Sequence, residues 1–267
     1  MTQHKEKFDG LAKGYDRYRP RYPQALFREI CHWLPKDRAL SVIDIGAGTG
    51  IALEGLANLL GQQHHYTAID ISQDMIDTGK QKLPWVSWLH GSAEQHLANV
   101  GNPDLIMAAQ SFQWMDRATV LNLVRNNLAD NGIIAILQNN RDYRHSEFLN
   151  EYENLLEELS PNYSRHYRDF DYAQELNTAF LHENALHITL NTRWSMPIPG
   201  EAFIGMSRSS TQVQRALAAH GELFIGRLKM LVDKYQFEGK LAILYESQLF
   251  MRVEKKSERK RILSEKK

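Results

Sequence analysis

Gly46, Gly48 and Gly50 stand two residues apart, and Asp70 follows twenty residues after the last of them. Glycine adopts backbone angles closed to other residues and lets a bound molecule approach the chain with no side chain between. An aspartate about twenty residues beyond such a turn can accept both hydroxyls of a ribose. Together they point to a nucleoside site. Taken alone, the turn would also serve other nucleotides or plain structure, and Asp70 could cap the next helix, although Ser72 and Asp74 already supply capping groups there. The spacing G-x-G-x-G departs from the G-x-G-x-x-G that seats a pyrophosphate on a helix terminus, and Ile51 adds nothing to a phosphate cradle. Adenosine carrying a compact charged group, as in S-adenosylmethionine (SAM), fits that difference better than a nicotinamide dinucleotide.

These residues need elements to hold them. Leu40 to Ile45 reads as a short buried strand leading into the glycines, and Ile51 to Leu60 has helical apolar spacing. Further strands are expected at His65–Ile69, Val86–Leu89, Asp104–Ala109 and Ile133–Leu137. Helices alternate with them: one capped by Ser72 and running to about Leu83, another over Thr119–Ala129 that closes at Asp130-Asn131-Gly132. This alternation predicts an α/β fold, a doubly wound and mostly parallel sheet with helices on both faces. After Asn139 the pattern loosens. Ser146–Leu159 and Tyr172–Leu181 look helical, Leu186–Trp194 alternates like a strand, Glu201–Tyr235 is mostly helical, and Leu241–Val253 is a long final strand expected to run antiparallel. The helical additions should cover the carboxyl edge of a seven-stranded sheet.

With 267 residues, 43% hydrophobic and 24% charged, and no formal net charge, the chain has the make-up of one large globular domain. Bulk charge implies neither nucleic acid nor a membrane as partner, and residues 1–15 lack the apolar core of a signal peptide, so a cytoplasmic monomer or homodimer is expected. The domain should span residues 1–253, with a lid and helix over 1–35, a cofactor core over 36–138 and a substrate cap over 139–253. The tail 254–267, with seven basic and three acidic residues, reads as a solvated end. Cys31 stands alone and is expected to be a small buried hydrophobe, and the histidines show no metal spacing, so no metal is expected.

Val42-Ile43-Asp44-Ile45-Gly46-Ala47-Gly48-Thr49-Gly50 resembles the first motif of class I SAM-dependent methyltransferases, and Ala68-Ile69-Asp70-Ile71-Ser72 with Met75 is similar to their second. Gly91-Ser92-Ala93-Glu94 resembles the turn that holds the adenine, although many relatives carry Asp at position 92. Pro103 to Gln110, followed by Ser111-Phe112-Gln113-Trp114-Met115-Asp116, resembles the fourth-strand motif of the group that includes trans-aconitate and malonyl-carrier methyltransferases, where His often replaces Gln113. Leu128 to Gly132 resembles the turn before the fifth strand. Phe8, Ala12, Tyr15, Arg19-Pro20 and Tyr22-Pro23 resemble that group's N-terminal lead. The resemblance covers about residues 8–138. It implies a SAM site made by Tyr15, Arg19, Asp44, Gly46, Ala47, Gly48, Gly50, Asp70, Ile71, Met75, Ser92, Ala93, Glu94 and Gln110. Tyr15 and Arg19 would contact the methionine carboxylate from a lid over residues 1–22 that orders on the cofactor, leaving S-adenosylhomocysteine as product.

Methyl transfer from a sulfonium is an in-line displacement whose leaving thioether needs no proton, so positioning and exclusion of water dominate. A carboxylate acceptor needs no general base, whereas a phenol, hydroxyl or ammonium does. Gln113 and Trp114 follow the fourth strand, where side chains reach the reacting end, although a tryptophan there also suits a core. His145 and Arg141 follow the fifth strand, as base and as partner of an anionic small-molecule substrate respectively, or else as solvated loop residues. Trp194 belongs to an aromatic-rich substrate half that core packing also explains. Arg208 lies beside Ser209 and Ser210, which could bind a carboxylate or cap a helix. Acceptors on oxygen, nitrogen or carbon all stay open. So do a SAM-binding module without turnover and, less favoured, a nicotinamide-dependent oxidoreductase.

Overall fold

The computed structural model describes residues 19–180 and 185–253, and the expectations for Tyr15, the start of the lid and the basic tail lie outside them. Helix α1 (Gln24–Trp33) leads into β1 (Ser41–Ile45), α2 (Ile51–Leu60), β2 (His65–Asp70), α3 (Gln73–Lys82), β3 (Ser87–His90), α4 (Ala93–Leu97), β4 (Leu105–Ala109), α5 (Arg117–Asn127) and β5 (Ile133–Arg141). Then come α6 (Glu147–Leu159), α7 (Tyr172–Ala179), β6 (Leu186–Pro199), α8 (Gly200–Arg208), α9 (Thr211–His220), α10 (Glu222–Tyr235) and β7 (Lys240–Val253).

The strands form one sheet in the order β3-β2-β1-β4-β5-β7-β6, with β1 to β5 parallel and β7 antiparallel to both neighbours. Alternation along the strands separates two cores, as the period of two requires. Val42, Leu105, Met107, Ala135 and Leu137 face α1 and α2, which bury Leu26, Phe27, Ile30, Leu53 and Leu56 against them. Ile43, Ile45, Ile106, Ala108, Ile134 and Ile136 face the other way, onto Val120, Leu121 and Val124 of α5 and Leu176 of α7. A doubly wound sheet is thus the physical consequence of apolar residues at consecutive strand positions.

A third core stands beyond the carboxyl ends of the parallel strands. There Leu241, Ile243 and Tyr245 of β7 pack with α6, α8, α9 and α10, so the helices between β6 and β7 cap the sheet. Pro197 and Pro199 are tolerated in β6 because it is an edge strand.

Two differences from the sequence reading matter for function. β5 runs four residues past Leu137, because Gln138 to Arg141 pair with Gln248 to Tyr245 of β7. Arg141 is consequently a ladder residue rather than part of a loop. β6 likewise continues to Pro199, which puts Trp194 in the three-strand row Arg141, Tyr245, Trp194.

Candidate functional site

The glycine turn takes its shape from local backbone requirements. Gly46, Gly48 and Gly50 all have positive φ, of 65°, 56° and 78°. A Cβ on Gly46 would come within 2.5 Å of Ser111, and one on Gly50 within 2.7 Å of Leu83, so close packing excludes side chains there. A Cβ on Gly48 would meet nothing within 4 Å, because this position faces a cavity. Asp70 ties the turn together: one carboxylate oxygen accepts the Gly48 N–H at 2.7 Å and the other the Ser72 N–H at 2.8 Å. A carboxylate has about four acceptor positions, so these two bonds leave capacity for a ligand. Burial raises the Asp70 pKa above the ordinary value, opposed by N–H donors from Ser72, Gly48 and Ile71 and by His90. Ser72 itself caps α3, its hydroxyl accepting from Met75.

This first cavity, about 180 Å³, is lined by Arg19, Gly46, Ala47, Gly48, Asp70, Ile71, Met75, Ser92, Ala93, Glu94 and Gln110 of the residues assigned to the cofactor, together with Trp114. Pro20, Tyr22, Thr49, Gly91, Ser111 and Asn139 also line it. Asn139 carried no recognisable motif, and it reaches the cavity only because β5 is longer than its apolar run. Ser92 caps α4 in a capping box with Gln95, so its hydroxyl is engaged by the Gln95 N–H. Glu94 accepts the Asp116 N–H at 3.0 Å.

Two residues assigned to the cofactor do not line the cavity. Gly50 begins α2 and packs on Trp88. Asp44 is fully buried, and both its carboxylate oxygens lack hydrogen-bond partners among the described residues. Burial first, and the neighbouring Asp70 second, hold its pKa well above the usual carboxylate range. A group whose folded pKa is raised favours folding below its unfolded pKa, and that contribution is lost as pH rises through the folded value. Asp44→Asn keeps the shape and removes the proton. Ligand-free Asp44→Asn is therefore expected to gain stability relative to the parent as pH rises from about 4, by on the order of 1–3 kcal/mol once the parent's carboxyl ionises. Urea denaturation across that range measures it, and a difference that stays constant with pH would contradict the buried neutral acid.

A second cavity of about 360 Å³ lies under the helical cap and shares Arg19, Pro20, Gln110, Trp114 and Asn139 with the first. The two spaces meet along that seam. Gln110, with a φ of 57°, donates to the Asn140 side chain at 3.1 Å, and Gln113 donates to the Gln110 carbonyl at 3.1 Å. Gln113 and Arg141 line the second cavity, and Trp114 lines both.

The structure sets His145, Trp194 and Arg208 outside both linings. His145 is half exposed and bonded at 2.9 Å to Asp142, whose carboxylate also pairs with Arg193. Arg208 ends α8 on the surface, while Ser210 caps α9. Trp194 stacks on Tyr245 at 4.9 Å, and its indole N–H donates to Ser247 at 2.8 Å. Ser247 donates in turn to Asn139 at 2.8 Å, and Asn139 donates to the Pro20 carbonyl at 3.4 Å. Trp194 therefore stands at the start of a bonded row that ends at the seam. Trp194→Phe keeps the stacking and removes one donor, so a loss of about 1 kcal/mol in folding stability is expected by chemical denaturation. An unchanged midpoint would mean that the row carries no net energy.

Cys31 is half-buried and burial pushes its thiol up to about 11, which makes it a poor nucleophile. Among the described residues, no group of three or more His, Cys, Asp or Glu is arranged to hold a metal, and no helix is long and apolar enough to cross a membrane.

Residues 42–132 are similar to the methyltransferase domain family, and the chain has the fold of class I methyltransferases. A trans-aconitate 2-methyltransferase from Azoarcus sp. is 32% identical over 110 residues, which are 41% of this chain and 43% of that protein. A candidate type II methyltransferase from Anaeromyxobacter dehalogenans superposes with a TM-score of 0.63 at 21% identity, covering 89% of this chain and 98% of that one. The plantazolicin methyltransferase BpumL, solved with SAH, superposes with a TM-score of 0.53 at 14% identity over 94% of this chain and 93% of that one. The chain spans about half the length of the first curated relatives it matches, 31% identical methyltransferases from mycobacteria.

Proposed function

We propose that this protein transfers the methyl group of SAM to a small molecule seated in the second cavity. The observation that carries this is the junction of the two cavities at Arg19, Pro20, Gln110, Trp114 and Asn139. One side of the junction has the glycine cradle and Asp70; the other is a roomier space of about 360 Å³ suited to an acceptor.

SAM supplies an electrophilic methyl on a sulfonium. The chain's own residues do the rest. Asp70 holds the ribose, the open face at Gly48 admits the ligand against the backbone, and Arg19 pairs with the methionine carboxylate. Trp114 and Pro20 wall the seam against water, which leaves the acceptor atom aligned with the methyl.

No histidine lines either cavity among the described residues. The acids lining the second cavity are engaged: Asp142 and Glu246 with Arg193, Glu153 with the Tyr163 hydroxyl, and Asp169 with His166. An acceptor that is nucleophilic without a general base, a carboxylate foremost, is therefore favoured. The organic acid in the name of the Azoarcus relative fits that preference.

Calorimetry with SAM and NADH, followed by turnover of SAM to S-adenosylhomocysteine over a panel of acids, phenols and amines, tests the proposal. SAM binding with acid-dependent turnover is expected. NADH binding in place of SAM would overturn the cofactor, and SAM binding with no turnover on any acceptor would favour a module that only binds SAM.

A further inference from the structure

Arg141 is the last residue of β5, two positions beyond Asn139, and residues two apart on a strand share a face about 7 Å apart. Asn139 lines both cavities, whereas Arg141 lines only the second. The Arg141 backbone therefore stands one dipeptide repeat beyond the seam, and its side chain lines only the second cavity. It lies 5.2 Å from the ring centroids of both Tyr152 and Phe203, and Tyr245 is its cross-strand neighbour on β7.

No carboxylate lies within salt-bridge distance of Arg141 among the described residues. Arg165, also on the lining, is committed to Glu157 at 2.7 Å. Burial works against the charge on Arg141, but Tyr152, Tyr245 and Glu153 outweigh it and raise its pKa, so it remains a cation. The Tyr245 hydroxyl is buried beside the Arg141 guanidinium, and no carboxylate or carbonyl accepts from it among the described residues. A partly buried guanidinium clamped between aromatic rings, with only the neutral hydroxyls of Tyr152 and Tyr245 beside it, is costly unless an anion completes it.

The reacting group is a poor candidate for that anion. An ion pair with arginine withdraws electron density from a nucleophile, and Arg141 is set back from the seam. We propose that Arg141, with Tyr245 beside it, anchors a non-reacting anionic group of the acceptor, which makes the substrate a bifunctional molecule: an anionic handle at Arg141 and a separate methyl-accepting atom at the seam. This rests on the first cavity being the SAM site and names the acceptor class for that site.

The test uses the full chain saturated with S-adenosylhomocysteine, whose own affinity is measured first in every variant. Three probe pairs that differ by one distal carboxylate are then titrated: adipate against hexanoate, 3-(4-hydroxyphenyl)propionate against 4-propylphenol, and 6-aminohexanoate against hexylamine. In at least one pair the extra carboxylate is expected to tighten binding at least tenfold. That advantage should vanish in Arg141→Gln, return in part in Arg141→Lys and shrink in Tyr245→Phe, with S-adenosylhomocysteine affinity unchanged throughout. A carboxylate advantage absent from all three pairs, or one that survives Arg141→Gln, would overturn the proposal while leaving the cofactor site intact. Loss of S-adenosylhomocysteine binding in the parent would instead overturn the reading on which it rests. If Arg141→Gln does not fold, the Tyr245→Phe comparison decides, since an unchanged advantage there removes the phenol from the subsite and overturns the paired anchor.

Discussion

Gly48→Val is expected to abolish SAM binding and to leave the sheet folded. With a φ of 56°, Gly48 occupies the left-handed region, where an L-residue pays about 1–2 kcal/mol. The larger effect is steric. The space around its missing Cβ is open to 4 Å, and that space belongs to the cavity, so a branched side chain would fill the ligand's approach rather than disturb the core. A loss of at least roughly 100-fold in affinity is expected, equivalent to about 2.7 kcal/mol. Calorimetry with S-adenosylhomocysteine measures it, with thermal denaturation as the control for folding. A folded variant with the parent's affinity would show that the ligand does not use this cradle. Gly50 makes a contrast, because its missing side chain faces Leu83 and Trp88, so substitution there strains packing instead.

Asp70→Ala should weaken SAM by about 2 kcal/mol, the loss that accompanies removal of charged hydrogen bonds to a ligand. That is roughly 30-fold in dissociation constant. Part of the loss comes through the turn itself, since the same carboxylate holds the Gly48 and Ser72 backbone amides. Asp70→Asn separates the two contributions: one amide oxygen can still accept a backbone bond, while the charge toward the ribose is gone. Weak binding in both variants assigns Asp70 to the ligand. Weak binding in Ala alone makes it a tie within the turn, and an unchanged constant in a folded Asp70→Ala ends the ribose assignment.

Most of the first cavity was legible because it depends on local features. Apolar residues at Val42, Ile43 and Ile45, on both faces of one short run, define a strand buried on both faces, and three alternate glycines define a turn that only glycine fits. Asp70 is readable because its distance from the turn follows from the length of one βα unit. Resemblance in Gly91 to Glu94 and at Gln110 located further parts of the lining, and the cavity gathers them. Asp44 and Gly50 belong to the same motif, yet one is buried and the other packs on Trp88; a motif says which residues recur together, not which way each side chain points.

The second cavity was decided by contacts far apart in sequence. The apolar run of β5 stops at Leu137, and nothing local says that the strand continues; it does so because β7, more than a hundred residues later, pairs with Gln138 to Arg141. That long-range register turns Arg141 from a loop residue into an anchored cation, sets Tyr245 opposite it and makes Trp194 a support behind the site rather than part of its wall. His145 is withdrawn for the same reason, since the strand end aims Asp142 back toward Arg193 and the histidine follows it. The sequence by itself determined the sheet, the glycine turn and the acid beside it, because strand period, turn angle and βα length are local quantities. Only the tertiary structure decided which polar side chains share the second cavity, because antiparallel pairing across more than a hundred residues is set by the packing of the whole cap.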